Sequence, residues 1–423
     1  MKLNLVIDAS GIFYRSLFTV GSYGSRKNQR LLESEASQGV FMRKLATDFA
    51  ALVKSVENVN RVIVCLDSTS WRKKIEIKDG GYKSGRKEKK EESNVDWEVF
   101  FKLTHEFSEI LASHGYIISK VKDAEADDLL YLWSRKLNDM KESVIMVTGD
   151  KDLHQVINLH KNGSWTVALD PVTQRRKVVL SQEVYDTCKK EVESEEVDIF
   201  DPSTWTAEPG DILFSLVDRN DIHTIDPVKV ATMKVLLGDG GDSVPGVVSW
   251  LEKKKTSDEE FIKSLTETKI NKAISTLPQF TWRDLRDGLY IDELAKELAA
   301  VSKREVTVDE LKKNIERNIN LVVLDAEIIP EEIQKGFNLT VEKIEASPVH
   351  LTRDAILSGT KWWTDNREFV PKGYEFAIED EDPLGEMGSG TPKTNDKDKK
   401  ALQKAISDIK SKTSTEKGPA ALF

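Results

Sequence analysis

Four short runs of β-branched and other apolar residues, LNLVID, RVIVCLD, GYIISKVKD and SVIMVTGD, each finish in or within a few residues of an aspartate: Asp8, Asp67, Asp123 and Asp150. Longer segments with apolar residues at helical spacing lie between them, and VFMRKLATDFAALVKSV reads as a crossover helix. Short buried strands alternating with helices predict an α/β fold built on a parallel sheet. In open sheets of that kind the carboxyl ends of the strands form the ligand crevice, so four acidic strand ends should converge on one place.

The rest of the chain divides by composition. WTVALDPVTQRRKVVL reads as a hairpin with Asp170-Pro171 at its turn. After about Pro245 the pattern is mostly helical (FIKSLTETKINKAISTL, YIDELAKELAAVS, VDELKKNIERNINLVVL). From about Glu379 it becomes polar and rich in Gly, Ser, Thr and Lys, a composition that cannot pack a core. A length of 423 residues suits two or three domains. The expected division is a core over 1–244, a helix-rich domain over 245–378 and a flexible tail over 379–423. The tail closes on AALF, a short apolar end suited to docking on a replication clamp or a single-strand-binding protein.

Nine carboxylates sit where chemistry is expected: Asp8, Asp67, Glu125, Asp127, Asp128, Asp150, Asp152, Asp239 and Asp242. Most lie directly against apolar segments, where an unpaired carboxylate is costly to desolvate. DAEADDLLYLW has the form of a helix start, with Asp123 as N-cap and Glu125 and Asp128 on one face. VTGDKDL sets Asp150 two residues from Asp152 after a strand, and LLGDGGDSVPG sets Asp239 three from Asp242. With 72 acidic residues in the chain, any one of these positions could simply end a strand or cap a helix. Four such motifs in one order are harder to explain that way, because an all-acidic cluster repels itself unless a cation holds it. Oxygen-only ligands without His or Cys suit hard divalent cations, Mg²⁺ or Mn²⁺. The number of carboxylates fits two ions about 3.5 to 4 Å apart better than one.

Lys plus Arg is 62 against 72 Asp plus Glu, a net charge of −10, yet charge is locally lopsided. Ser68 to Lys90 holds nine basic and three acidic residues, with Trp71 near one end and Trp97 just beyond the other. Cations such as Arg72, Lys73, Lys74, Lys83, Arg86 and Lys87 suit a nucleic-acid backbone, and an aromatic ring can stack on an unpaired base. Lys234 is a further candidate phosphate contact. Two cysteines, Cys65 and Cys188, without a CxxC or Cys/His cluster point away from a disulfide framework or zinc and toward a reducing cytoplasm. The N-terminus lacks a signal-peptide cleavage pattern and no apolar run reaches the ~20 residues of a membrane span.

In order and spacing, VIDASG, VIVCLD, DAEADD, VTGDKDL and LLGDGGDSVPGV resemble the successive acidic motifs of the flap endonuclease / 5′-3′ exonuclease family of structure-specific 5′ nucleases. The resemblance covers about residues 1–250. It implies a parallel-sheet nuclease core of PIN-like type, a helical arch over the active site, here 68–105, and an element gripping duplex DNA. It also implies a first metal group of Asp8, Asp67, Glu125, Asp127 and Asp128 and a second of Asp150, Asp152, Asp239 and Asp242, holding two Mg²⁺. Tyr82, Lys83 and Arg86 match arch residues that stack on a base and contact the scissile phosphate, and Lys234 matches a family lysine. The implied reaction is Mg²⁺-dependent hydrolysis near 5′ ends, flaps, nicks or RNA primers on DNA and RNA–DNA hybrids, by a monomer acting in replication.

After GDGGDSVPGV the family usually continues with a Gly-rich turn that binds duplex phosphates, often with K⁺; here the text is VSWLEKKKTSDEEF. That leaves the hairpin and its K⁺ site in doubt, with Lys253, Lys254 and Lys255 as a cruder phosphate contact. This departure and the long stretch between Asp152 and Asp239 make the chain more similar to the ribonuclease H branch of T-even-type phages, whose site of action would be the host cytoplasm.

Two other classes are open to the sequence. LLGDGGD resembles the metal motif of haloacid-dehalogenase-type phosphatases, but Asp8-Ala9-Ser10 lacks the second carboxylate that supplies their acid/base group. A catalytically inactive binder of branched DNA is the other, and the presence of every acidic position speaks against it.

Overall fold

The computed structural model describes residues 2–24, 30–54, 56, 59–77, 81–170, 177–187, 221–253 and 260–342. Cys188, Pro171, Lys254, Lys255 and the tail from Glu379 fall outside these, as do the side chain of Lys87 and residues 343–378.

Each of the four apolar runs forms a strand: β1 (Lys2–Asp8), β2 (Val59–Cys65), β3 (Ile117–Ser119) and β4 (Glu142–Val147). β1 lies at the centre with β2 and β4 paired parallel on either side, and β3 pairs parallel with β2. The sheet continues through β5 (Asn158–Leu159), β6 (Trp165–Asp170), β7 (Lys177–Ser181) and β8 (Asp221–Ile225). Strand order is β3-β2-β1-β4-β6-β7-β8, with β5 beside β6. β6 and β7 are antiparallel, as the hairpin reading requires.

A parallel sheet needs cover on both faces, which explains why its strands are continuous apolar runs without polar alternation. Leu3, Leu5 and Ile7 of β1 face one cluster with Phe41, Phe49 and Phe107, from the helices Glu35–Lys54 and Trp97–Ser113. Val6 faces the other with Leu129 and Trp133 of the helix Ala126–Asp139. Asn4, Arg61 and Glu142 are the polar exception: Arg61 pairs with Glu142 at 2.5 Å and Asn4 Nδ2 donates to Glu142 Oε2 at 2.9 Å. This buried network marks the amino-terminal ends of β1, β2 and β4, opposite the aspartates.

After residue 221 come the helix Pro227–Leu237, the antiparallel pair β9 (Ser249–Lys253) and β10 (Glu260–Ser264), and the helices Glu267–Ile274, Trp282–Arg286, Ile291–Ser302, Val308–Val322 and Glu331–Glu342. Where the sequence was expected to break near residue 244, a single apolar cluster crosses the position. Ala231, Val235 and Leu236 pack with Val244, Val247, Ile270, Leu294, Leu311 and Ile315, and the ring of Tyr82 joins them. The final described helix returns to the sheet, where Phe337 meets Trp133 edge-on at 5.0 Å and Leu324, Ile329 and Ile333 are buried beside it. Among the described residues no helix is long and apolar enough to cross a membrane.

If that docking joins the helix-rich segment to the sheet as a single cooperative unit, Phe337→Ala should lower unfolding free energy by about 3–4 kcal/mol, the usual cost of emptying a buried aromatic site. Urea unfolding followed by circular dichroism should keep a single transition; two separated transitions would contradict shared cooperativity.

Candidate active site

Three of the four acidic strand ends converge, Asp8, Asp67 and Asp150; Asp123 does not join them. Asp8 closes β1, and its Oδ1 accepts the backbone N–H groups of Ser10 (3.0 Å) and Gly11 (3.4 Å) as the helix Ala9–Gly24 begins. Asp67, just past β2, accepts Ser10 Oγ at 2.5 Å on one oxygen and the Ala126 N–H at 2.8 Å on the other. Two aspartates are therefore held by N–H groups at helix starts, where the exposed amide dipoles favour negative charge. Asp150, past β4, accepts the Asp152 N–H at 2.8 Å and so opens the short 3-10 turn Lys151–Val156.

Helix Ala126–Asp139 starts two residues later than expected. Its N-cap is Glu125, whose backbone N–H donates to Asp128 at 3.1 Å, while Asp123 adopts a left-handed backbone (φ 63°) before it. In place of a cap, Asp123 pairs with the exposed Lys74 at 3.3 Å. Asp127 takes the next helical position and faces the strand ends.

Like charge is poorly relieved at this point. Burial, then the Asp67 and Asp150 charges, push the Asp8 carboxyl up to about 7. Burial followed by Asp150 and Asp8 raises Asp127 well above the carboxylate range, and the more distant help of Lys83 does not offset it. Asp152 is also lifted to about 7, by burial and Asp150, despite Lys234 beside it. Oxygen donors that repel one another in this way are the donor set a hard divalent cation stabilises, so Asp8, Asp67, Asp127, Asp150 and Asp152 fit such an ion. Among the described residues no three of these side chains already sit together as a complete metal-ligand group.

The remaining carboxylates are neutralised by the protein itself, which charge spacing in the sequence does not reveal. Lys234 bridges Asp152 and Asp239, at 2.8 Å from the latter. Lys83 pairs with Glu125 and lies 3.5 Å from Asp242, which Arg86 also meets at 2.5 Å. Burial opposes ionisation of Glu125, but Lys83 and Arg72 outweigh it and hold its carboxyl below the usual range. Asp239 is likewise lowered against the cost of burial by Lys234.

Three assignments change. Arg72, expected on nucleic acid, is only 2% exposed and forms a bidentate pair with the fully buried Asp128 while reaching Glu125 at 3.0 Å. Asp128, expected to ligate metal, is thereby committed to Arg72 and to the Trp71 Nε1, which donates to it at 3.2 Å. Tyr82 is no platform for a base: its ring is buried, and its hydroxyl donates to Glu125 (3.0 Å) or Asp242 (3.2 Å). Charge spacing alone could not separate these inward groups from Lys73 and Lys74, which are exposed. Lys253 lies exposed on β9, so the segment that replaces the Gly-rich turn is a β-ribbon.

The Asp239 loop is narrow. Helix Pro227–Leu237 ends on Gly238 (φ 72°), where a Cβ would collide with backbone atoms of Val244 and Pro245. Asp239 and Val244 exchange backbone hydrogen bonds of 2.8 and 2.7 Å, and the Lys83 N–H donates to the Asp242 carbonyl at 2.9 Å. The basic segment is thus tied at Lys83 to the second acidic loop.

Beside the acidic cluster runs a groove of about 830 Å³ whose lining includes Asp67, Lys83 and Arg86 at one side and Tyr14, Trp97, Phe100 and Phe101 at another. Tyr14 stacks on Phe100 at 5.3 Å, Phe101 is 50% exposed, and Lys90 sits 4.9 Å over the Phe101 ring and 5.2 Å over Trp97. Trp97 was legible as an aromatic at the edge of the basic run; its alliance with Phe100 and Phe101 in WEVFF was missed, although that density of rings was visible.

The acidic strand ends of the parallel sheet thus meet two helix starts, with the helix Gly85–Glu92 beside them. Residues 3–189 match the model of the 5′-3′ exonuclease N-terminal, resolvase-like domain. The chain is 29% identical over 105 residues to a ribonuclease H of Enterobacteria phage T4, a match spanning 24% of this chain and 32% of the relative. Among solved structures it is similar to the bacteriophage T5 D15 protein co-crystallised with metal ions (TM-score 0.47, 16% identity, 81% of this chain and 100% of that one). The T5 D15 flap endonuclease in a pseudo-enzyme–product complex with DNA and metal ions also matches (TM-score 0.47, 14% identity, 81% and 98% coverage).

Replacing Arg72 by Met should cost about 3–5 kcal/mol, because it strands the buried Asp128 charge. Arg72→Met with Asp128→Leu should recover most of that loss in urea unfolding. An Arg72→Met protein as stable as the parent would contradict the assigned role.

Proposed function

We propose that this chain is a divalent-cation-dependent, structure-specific 5′ nuclease that hydrolyses phosphodiesters near 5′ ends, at flaps, nicks or RNA primers. The carrying observation is the unrelieved repulsion among Asp8, Asp127, Asp150 and Asp152 at the edge of a groove walled by aromatic and basic side chains. The 5′-3′ exonuclease domain over residues 3–189 supports the polarity, and the ribonuclease H relative supports a role on RNA primers.

In this reading Asp8, Asp67, Asp127 and Asp150 hold one Mg²⁺, and Asp152, Asp239 and Asp242, with Glu125 nearby, serve a second; Mn²⁺ can substitute. When bound, such cations neutralise the scissile phosphate and lower the pKa of water. The protein's own groups supply orientation. Lys83 and Arg86, now paired with Glu125 and Asp242, are the cations nearest both the carboxylates and the groove, and they contact the substrate phosphate. Trp97 and Phe101, backed by the buried Phe100, form a wall on which an unpaired 5′ strand stacks its bases, and Lys73, Lys74 and Lys90 track its backbone. The helix-rich segment 245–378, with Lys253 on the ribbon, holds the duplex region of the substrate. Hydrolysis leaves a 5′-phosphate and a 3′-hydroxyl. The tail over 379–423 docks a replication clamp or single-strand-binding protein, and the chain works as a monomer in the cytoplasm of a host cell.

With a 5′-labelled flap, a nicked duplex and an RNA-primed duplex as substrates, cleavage should require Mg²⁺ and stop with EDTA. Asp150→Ala should lower the rate by more than the roughly 10- to 100-fold that changes around a metal ligand cost. Full cleavage by a folded Asp150→Ala protein would overturn the reading.

The aromatic wall gives a separate expectation. Trp97→Ala with Phe101→Ala should weaken binding of a 5′-tailed duplex by about 30-fold or more, each of the two base stacks being worth roughly 1–3 kcal/mol. Fluorescence anisotropy in EDTA should show no such loss for an abasic tail of the same length. Equal weakening on both tails would contradict stacking.

A further inference from the structure

The helix Val308–Val322 borders the acidic pocket only through Leu321 and Val322, yet its polar groups grip both acidic loops that flank that pocket. Gln155, three residues after Asp152, is the first grip. Its Nε2 donates to the Asp152 carbonyl (2.9 Å) and to the Val322 carbonyl at the helix end (3.0 Å), and its Oε1 accepts the Leu324 N–H (3.0 Å). Asn318 is the second. Fully buried, it donates from Nδ2 to the Val235 carbonyl (2.8 Å) and the Pro245 carbonyl (2.9 Å), the two backbone positions on either side of the Asp239–Asp242 loop. Arg317 adds a bond to the Pro245 carbonyl at 3.2 Å. Between the two gripped loops lies the Lys234 bridge from Asp152 to Asp239.

A buried amide with all its hydrogen bonds made has one low-energy orientation, so it transmits the position of the helix to the loops with little slack. We infer that Gln155 and Asn318 are positioning residues of the acidic centre, through which the helix Val308–Val322 sets the separation between Asp150/Asp152 and Asp239/Asp242. This rests on the reading that those carboxylates hold divalent cations. Its consequence is that the helix-rich segment belongs to the cation site as well as forming a surface for duplex.

The test uses the full chain without nucleic acid, with Mn²⁺ binding measured by calorimetry and metal-free melting by circular dichroism. Gln155→Met keeps side-chain length and removes the three bonds. It should weaken Mn²⁺ binding by about tenfold or more, as loss of groups that orient ligands does, while the protein stays folded. Asn318→Ser, which no longer reaches both carbonyls, is read in the same way should Gln155→Met fail to fold. Asn320→Ala serves as the structural control: it removes a bond within the same helix, to the Glu316 carbonyl (2.8 Å), away from both acidic loops, and should leave Mn²⁺ affinity within twofold. Wild-type affinity in folded Gln155→Met and Asn318→Ser, with Asp150→Ala weakened, overturns the positioning role and leaves the cation reading intact. No Mn²⁺ binding by the parent protein overturns the reading beneath it.

Discussion

Repulsion among carboxylates at the carboxyl edge of a parallel sheet is the constraint around which this molecule is arranged. Parallel strands must all end on the same edge, and each is followed by a chain reversal into a helix or turn. Asp8 and Asp67 accept hydrogen bonds from the N–H groups of those helix starts, at Ser10, Gly11 and Ala126. The topology supplies that partial compensation without any basic side chain. It does not extend to Asp127, whose carboxyl is raised well above the ordinary range by burial, Asp150 and Asp8.

Around that unrelieved core the protein grades its charge compensation. Farthest in, Arg72 satisfies Asp128 completely, giving a fixed pair that anchors the first turn of the helix Ala126–Asp139. Next, Lys83, Arg86 and Lys234 neutralise Glu125, Asp242, Asp239 and, to a lesser degree, Asp152. Of these, Arg86 stays largely exposed, whereas Lys83 and Lys234 are mostly covered. Exposure therefore separates Arg86 from the buried guanidinium of Arg72.

The fold of the first half was legible because hydrophobic runs ending in aspartate carry both the period and the polarity of parallel strands. The carboxylate positions were legible for the same reason. The direction of individual side chains was not. Arg72 and Lys73 are adjacent in one basic run, yet a 3-10 turn at Trp71–Lys74 sends the first into the core and leaves the second in solvent. Tyr82 is pulled inward because its ring joins the cluster of Val235, Val244 and Leu321, a contact between segments far apart in the chain that has no local signature. The roles of Gln155 and Asn318 were invisible for the same reason: both bond to carbonyls far along the chain.

An acidic centre in a chain of net charge −10 is at first sight ill suited to a polyanion. Under the proposed function, the groove would resolve the conflict by dividing recognition between two kinds of force. Coulomb attraction is confined to a short basic segment, where Lys83, Lys90 and Arg86 stand within a few residues of one another and face the groove. Stacking on Trp97 and Phe101 would not depend on net charge. A strand held partly by its bases would bring its phosphate toward the carboxylates without needing a uniformly positive surface. The same division would favour unpaired ends, because only splayed bases offer their faces to the rings.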